Sequence, residues 1–226
     1  MESRTFNPDG APTVLFVLGY GNRLAGASVR WAIDRVTEAG YRVHAVSLPI
    51  EGTDFEEAYR EPVQSIHDEE DPDVLLGHSL GGLVGPYLRT EARPVYLSPW
   101  WGMYPGKVAR WERWLIPKLP IRVPILPTKT SREEMGALLS GAEWEQVPKR
   151  LSPVFISEIY RAQRQRPPVD PDAAVFVTLS DTIIDLEAVG EAVGSDQIHL
   201  YDGAHQLFSS AGRAAAMDAV VSALGG

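Results

Sequence analysis

Apolar and polar positions along this chain follow two alternating patterns. Six runs have the length and the apolar or β-branched content of strands: residues 13–18, 42–47, 74–76, 95–98, 175–179 and 197–201. Amphipathic stretches lie between them, such as residues 28–39, which place Val29, Ala32 and Val36 on one helical face. Strands that alternate with helices predict an α/β fold, a mostly parallel sheet of about six strands with flanking helices.

Two prolines predict breaks in helices. Pro62 falls in a helix that opens with capping-box spacing at Thr53, so it ends or restarts that helix. Pro86 falls in the helix expected after residue 79 and should kink or shorten it. A longer helix is predicted over residues 210–224, at the end of the chain.

Residues 99–171 differ in composition from the sequence on either side. The chain has 226 residues and a formal charge of −9, but this stretch carries +5 and the remainder −14. All four lysines, five of the six tryptophans and 11 of the 18 prolines lie within it. We interpret residues 99–171 as an inserted helical subdomain, the cap segment, and residues 1–98 together with 172–226 as the α/β core.

Composition and charge exclude several classes of protein. With 44% hydrophobic and 23% charged residues, the chain can bury a large core. Because it has no cysteine and no pair of histidines at helical spacing, we expect no thiol nucleophile, no metal site and no cofactor. The acidic balance disfavours nucleic acid as a partner. Since neither a secretion signal nor a membrane-spanning run is present, we predict a cytoplasmic protein without stable membrane insertion.

The motif G-H-S-L-G at residues 77–81 carries the most specific chemical information. It follows the apolar run 74–76 and precedes a glycine-rich apolar segment. Glycines on both sides of a serine let the neighbouring backbone pass without Cβ clashes, while the serine takes the strained conformation of a strand-to-helix turn. The context predicts a nucleophile elbow with Ser79 as nucleophile. An ordinary turn that happens to contain a serine is the alternative.

A nucleophilic serine requires a histidine base and a buried acid to orient it. In this strand–turn–helix architecture they follow the serine in the order acid, then histidine. Asp181 comes directly after the run 175–179, and His205 lies shortly after the last predicted strand. We therefore predict that Ser79, Asp181 and His205 form a catalytic triad.

Three other aspartates compete with Asp181 for the acid position. Asp185 directly precedes an apolar helical stretch and fits a helix N-cap better. Asp202 is only three residues from His205 and is better suited to shaping that turn. Asp196 precedes its strand, at the wrong end of the sheet. Asp185 is the next candidate after Asp181.

Acyl transfer also requires donors for the oxyanion of the tetrahedral intermediate, each contributing roughly 3–4 kcal/mol in measured cases. One donor should be the backbone N–H of Leu80, directly after the nucleophile. The other should come from the loop after the first strand, where Tyr20 stands between Gly19 and Gly21. The alternative is that this glycine-flanked loop is only a tight turn.

These motifs together resemble the α/β-hydrolase superfamily, and within it small carboxylesterases and monoacylglycerol-lipase-like enzymes. The resemblance implies the same triad, and a cap inserted where the composition changes. Two departures stand out. The histidine that usually precedes the oxyanion-loop glycine is Leu18 here, so the hydrogen bonding that steadies that loop is in question. There is also no room before Thr13 for the amino-terminal hairpin of larger members, hence the reduced core of about six strands.

Substrate choice should depend on the cap segment. Trp100 and Trp101 follow a predicted strand at its carboxyl end, the edge where ligands bind in open α/β sheets, so they would wall the substrate pocket. Alternatively, they form a small core of the cap segment itself. The other three tryptophans of this segment are expected to pack within it: Trp111, Trp114 and Trp144. Three arginines are either an anion clamp or a solvated helix face: Arg161, Arg164 and Arg166.

The sequence thus predicts a serine hydrolase that cleaves small-molecule carboxylic esters through an acyl-enzyme on Ser79. An acyl thioesterase is the first alternative, because a basic cap segment would suit a thioester that carries phosphates. A non-catalytic ligand-binding relative is the alternative of another class. The charge of the cap segment has three interpretations: attraction to the acidic core, attraction of anionic substrates, or transient contact with an anionic lipid surface.

Overall fold

A seven-stranded sheet with the strand order β1–β3–β2–β4–β5–β8–β9 organises the molecule. The computed structural model describes residues 1–107 and 114–226. In chain order the strands are β1 (Glu2–Phe6), β2 (Thr13–Val17), β3 (Arg42–Ser47), β4 (Val74–His78), β5 (Arg93–Leu97), β6 (Leu126–Pro127), β7 (Arg150–Leu151), β8 (Ala174–Val177) and β9 (Ile198–Leu200). All neighbours in the large sheet are parallel except β1, which pairs antiparallel with β3, and β6 and β7 form a separate two-stranded sheet.

Helices cover both faces of the large sheet, which confirms the predicted fold class. The α-helices whose bounds the structure describes are, in chain order, α1 (Ala27–Glu38), α2 (Glu61–Glu70), α3 (Leu80–Val84), α4 (Arg132–Met135), α5 (Gly141–Gln146), α6 (Pro153–Gln165), α7 (Leu186–Ala192) and α8 (Arg213–Gly225). Side chains that alternate along the strands point to two separate cores. One core packs against α1 and α8, and the other against α2, α3, α6 and α7.

The seven strands of the large sheet agree with the predicted number of about six, and the additional strand is β1, which lies ahead of Thr13. Its pairing runs from Glu2 opposite Ser47 to Phe6 opposite Val43. None of its five side chains is buried, and the first three are exposed. Backbone hydrogen bonds at the edge of the sheet hold this strand, so its sequence carries little of the apolar pattern that marks the other strands.

The two prolines have different effects on the helices. The backbone stays helical through Pro62: a π-helical turn at Glu56–Arg60 runs directly into α2, so the predicted break is only a change of helix type just before the proline. Helix α3 ends after five residues, and Pro86 lies in the 3₁₀ turn Gly85–Tyr87 that follows it.

Besides its buried apolar side chains, the cap segment contacts the core through carboxylates that accept hydrogen bonds from neutral donors. Glu143 accepts from the backbone N–H of Ser28, 2.8 Å away at the start of α1. Glu158 accepts from the backbone N–H of Phe55 at 3.0 Å. Among the residues that the structure describes, no ion pair joins a lysine or arginine of the cap segment to a core carboxylate.

Candidate active site

Ser79 stands between β4 and α3 in a backbone conformation that non-glycine residues rarely adopt, with φ 50° and ψ −109°. The turn holds it there from both sides. Its N–H donates to Leu97 O at 3.0 Å, and its C=O accepts from the N–H groups of Leu83 and Trp100, each at 3.0 Å. A strained residue fixed by its surroundings is typical of a functional site.

The glycines of the motif are needed because α3 lies directly against the sheet. A Cβ on Gly81 would lie 2.1 Å from the carbonyl oxygen of Val17 in β2, and a Cβ on Gly77 would lie 2.9 Å from Gly81 O. Any larger side chain at Gly81 would push the helix off the strand, and Ser79 would move with it.

The three predicted catalytic side chains form one hydrogen-bonded chain. Ser79 Oγ lies 3.0 Å from His205 Nε2, and His205 Nδ1 lies 2.8 Å from Asp181 Oδ2. All three residues are buried. Because the carboxylate can only accept, Nδ1 carries the proton and Nε2 is left to accept from the serine hydroxyl.

Asp181 is held as a carboxylate by its surroundings. Its second oxygen, Oδ1, accepts from the backbone N–H groups of Ile183 at 2.8 Å and Ile184 at 3.2 Å. Burial alone would raise the pKa of Asp181, but the charge and hydrogen bond of His205, together with these two N–H groups, hold it below its usual value. The charge is therefore present at neutral pH to stabilise an imidazolium.

The competing aspartates lie elsewhere. Asp185 is the N-cap of α7, where its side chain accepts from the N–H of Glu187 at 3.1 Å. Asp196 and Asp202 are exposed. Neither of these two contacts the imidazole of His205, which has Asp181 on Nδ1 and Ser79 on Nε2.

The loop after β2 packs directly on the nucleophile. A Cβ on Gly19 would lie 3.0 Å from Ser79 Cβ and 2.5 Å from His78 Nδ1, so this position needs glycine for close approach. Tyr20, the expected oxyanion donor, lines the same cavity as Ser79, and Leu80 is the first residue of α3.

A hydrogen bond that the sequence did not predict ties this loop to the elbow. His78 Nδ1 donates to Asn22 Oδ1 at 3.1 Å, while Leu18 is fully buried in the core. Burial lowers the pKa of His78 to about 3, so its ring is neutral. The family usually has a histidine where this chain has Leu18. Here the hydrogen bond between Asn22 and His78 steadies the loop instead. The signal available in the sequence was a polar residue, Asn22, directly after Gly21.

A cavity of about 150 Å³ opens above Ser79 and His205. Most of its lining comes from the cap segment and is apolar, with Trp100, Met103, Ile116, Leu126, Met135, Val147, Leu151 and Ile156 among its side chains. One side is polar, where Lys107 and Thr130 contact each other at 3.2 Å. A ligand with an apolar part fits such a lining.

The two adjacent tryptophans lie in different places. Trp100 lines the cavity, whereas Trp101 does not and is buried behind it. The indole Nε1 of Trp101 donates to Gly82 O at 2.8 Å, and its ring packs edge-on against Tyr96. The expectation that both wall the pocket therefore fails for Trp101, because the chain turns its ring into the core beside α3.

The other two described tryptophans of the cap segment, and the three arginines of the possible anion clamp, do not line the cavity. Trp114 is 66% exposed rather than packed, with Lys118 over its ring, and Trp144 is half-buried. Trp111 lies outside the described residues. Arg161 pairs with Glu158, Arg164 is exposed, and Arg166 stacks over Trp101. Since no one of these arginines lines the cavity, they do not form an anion clamp there.

Within residues 1–107 and 114–226, no group of three or more His, Asp or Glu side chains is placed to bind a metal ion. None of the helices in these two ranges is long and apolar enough to cross a bilayer.

Comparison with known proteins places the chain in a family. The model of the Alpha/beta hydrolase family matches residues 14–222. Comparison with curated protein sequences gave no match. Among solved structures, a monoacylglycerol lipase of Paleococcus ferrophilus is similar to this chain with a TM-score of 0.76 and 20% identity, covering 99% of this chain and 97% of that one.

Two further structures share the fold at lower identity. A soluble variant of monoglyceride lipase from Saccharomyces cerevisiae has a TM-score of 0.74 and 16% identity, covering 94% of this chain and 87% of that one. An esterase from Exiguobacterium antarcticum has a TM-score of 0.66 and 14% identity, covering 99% and 95%. Because the family model spans nearly all of the sequence, the chain belongs to the Alpha/beta hydrolase family.

Proposed function

We propose that this protein is a serine hydrolase that cleaves carboxylic esters through an acyl-enzyme on Ser79. The observation that carries the proposal is the continuous hydrogen-bonded chain from Ser79 Oγ through His205 to Asp181, at the floor of a largely apolar cavity. The strained backbone of Ser79 supports the same assignment, because it aims the hydroxyl into that cavity.

The geometry fits a two-step mechanism. His205 Nε2 takes the proton of Ser79 as Oγ attacks the ester carbonyl, and Asp181 stabilises the imidazolium that forms. The proton then passes to the leaving alcohol, and the acyl group stays on Ser79. In the second step His205 removes a proton from water, which attacks the acyl-enzyme and releases the acid.

In both steps the carbonyl oxygen becomes an oxyanion that needs donors. We assign this function to the backbone N–H groups of Leu80 and Tyr20, the first at the start of α3 and the second in the loop packed against Ser79. The hydrogen bond between Asn22 and His78 would keep that loop in place during turnover.

The substrate is proposed to be a small-molecule ester with an apolar acyl or alcohol group. The apolar lining from the cap segment supports this, and so does the similarity of the chain to a monoacylglycerol lipase and an esterase. A phosphate-bearing thioester is less favoured, because most of the cavity lining is apolar.

Labelling with a fluorophosphonate tests the nucleophile. We expect the wild-type chain to be labelled, and Ser79→Ala to lose both the label and the hydrolysis of p-nitrophenyl butyrate, by a factor of roughly 10⁴ or more. Ser180→Ala is the matched control, since Ser180 follows β8 and does not line the cavity. Labelling that survives Ser79→Ala would refute the assignment.

A panel of p-nitrophenyl esters of increasing chain length, run beside acyl-CoA thioesters, tests the substrate class. We expect the esters to have the higher kcat/KM. If the thioesters have the higher kcat/KM instead, the protein is a thioesterase and the same triad catalyses that reaction.

A further inference from the structure

Glu134 belongs to the cap segment, yet it contacts both loops that carry the triad. Its Oε1 accepts from the hydroxyl of Thr182 at 2.7 Å, and Thr182 directly follows Asp181. Its backbone carbonyl accepts from the N–H of His205 at 3.2 Å. One residue of α4 therefore joins the loop that carries Asp181, the acid loop, to the loop that carries His205, the histidine loop. It does so without touching the reacting atoms.

The carboxylate of Glu134 is fixed from its other side as well. Oε2 accepts from the backbone N–H of Ser131 at 2.6 Å, and the N–H of Glu134 donates in return to Ser131 Oγ at 3.2 Å, which is a capping box. Lys107 Nζ adds a further donor at 3.0 Å. Burial alone would raise the pKa of Glu134, but these hydrogen bonds, the one from Thr182 and the charge of Lys107 hold it below its usual value.

The backbone around Glu134 follows the histidine loop for several residues. Met135 O accepts from the N–H of Gln206 at 2.8 Å, and the N–H of Leu138 donates to Ser209 O at 2.8 Å. Gly136 allows this contact, because a Cβ there would lie 2.5 Å from Ser209 Cβ. The histidine loop is thus attached to the cap segment along its length, with Glu134 at the end nearest the triad.

We propose that Glu134 is a positioning residue that couples the cap segment to the triad, through its carboxylate on Thr182 and its carbonyl on His205. The inference rests on the proposed function of Ser79, Asp181 and His205. Fixing Thr182 holds the turn whose N–H groups, from Ile183 and Ile184, orient the Asp181 carboxylate. A small misplacement of such a turn lowers the rate of the chemical step while leaving substrate binding intact.

The test compares five variants of the full chain: Glu134→Ala, Glu134→Gln, Thr182→Val, the double variant Glu134→Ala/Thr182→Val, and Glu133→Gln. Glu133 is the matched control, because it is the exposed neighbour of Glu134 in the same helix. For each, kcat and KM for p-nitrophenyl butyrate, the rate of fluorophosphonate labelling and the thermal midpoint are measured. Thr182→Val removes the hydroxyl with little change of shape, so it does not depend on Glu134→Ala folding.

We expect Glu134→Ala and Thr182→Val each to lower kcat by about ten- to a hundredfold, with KM within about twofold of wild type. Because both remove the same hydrogen bond, the double variant should lose no more than the worse single variant. Glu134→Gln should recover part of kcat, since its amide oxygen can still accept from Thr182. Glu133→Gln should match wild type.

If the fluorophosphonate probe labels the wild-type chain, either of two results would overturn the inference. One is a kcat within about twofold of wild type in both single variants, and the other is a set of losses that multiply in the double variant. A wild-type chain that the probe does not label would instead overturn the proposed function, and this inference with it.

Discussion

Asp181 and Asp185 are only four residues apart, but their positions in the fold give them different roles. Asp181 accepts from His205, whereas Asp185 caps α7 and faces away from the triad. We expect Asp181→Asn to lower kcat by roughly 10³–10⁴-fold, since the amide loses the charge and can present the wrong partner to Nδ1. Steady-state kinetics with p-nitrophenyl butyrate measures this loss.

Asp185→Asn is the control for that substitution. Asparagine is nearly as good an N-cap as aspartate, so kcat and the thermal midpoint should stay close to wild type. The opposite ranking of the two variants would move the acid of the triad to Asp185.

At the scale of single residues, the sequence was informative where chain order restricts the choice. The order serine, acid, histidine, each after a predicted strand, was enough to bring Ser79, Asp181 and His205 together. Asn22 and Glu134 belong to no such ordered motif, so the sequence did not indicate their contacts with His78 and Thr182. Such contacts depend on tertiary placement, which a periodic pattern does not encode.

The nucleophile elbow makes a prediction at the scale of an element, because it requires α3 to lie against β2. In Gly81→Ala the new Cβ would lie 2.1 Å from Val17 O. We expect the variant to lose about 3 kcal/mol or more of stability, a fall in the thermal midpoint of roughly 6–12 °C, together with most of the activity.

Gly190→Ala is the matched control in another helix. Gly190 lies within α7, and a Cβ there would meet nothing within 4 Å. Alanine favours the helix over glycine by about 1 kcal/mol, so the thermal midpoint should rise by about 2–4 °C with activity unchanged. If Gly81→Ala and Gly190→Ala changed the thermal midpoint alike in differential scanning calorimetry, the close packing of α3 on β2 would not be the reason that position 81 needs glycine.

Elements were predictable from sequence to the extent that they bury a face. The parallel strands read as continuous apolar runs because both of their faces are covered, and α1 has the expected buried stripe. Strand β1 and the short helices of the cap segment bury much less, so backbone pairing and local capping define them instead. Ser131 and Ser140 each begin such a helix with a capping box.

At the scale of the whole molecule, the split between a basic cap segment and an acidic core had three interpretations, and in one of them opposite charge holds the two together. The contacts favour a different interpretation. Three glutamates of the cap segment, Glu134, Glu143 and Glu158, accept hydrogen bonds from hydroxyl or backbone donors of the core. At an ionic strength of about 0.1 M, salt weakens the attraction between exposed charges that are more than about 10 Å apart. It has little effect on such short, partly buried hydrogen bonds.

This arrangement predicts how the rate depends on ionic strength. Between about 0.05 M and about 0.5 M NaCl, where the screening length falls severalfold, kcat/KM for a neutral ester and the thermal midpoint should change little. For an anionic ester of the same acyl chain, kcat/KM should fall with salt, because Lys107 and Lys129 lie in the cavity wall and steer negative charge toward it. A parallel fall for the neutral ester and in the thermal midpoint would mean instead that charge attraction holds the cap segment on the core.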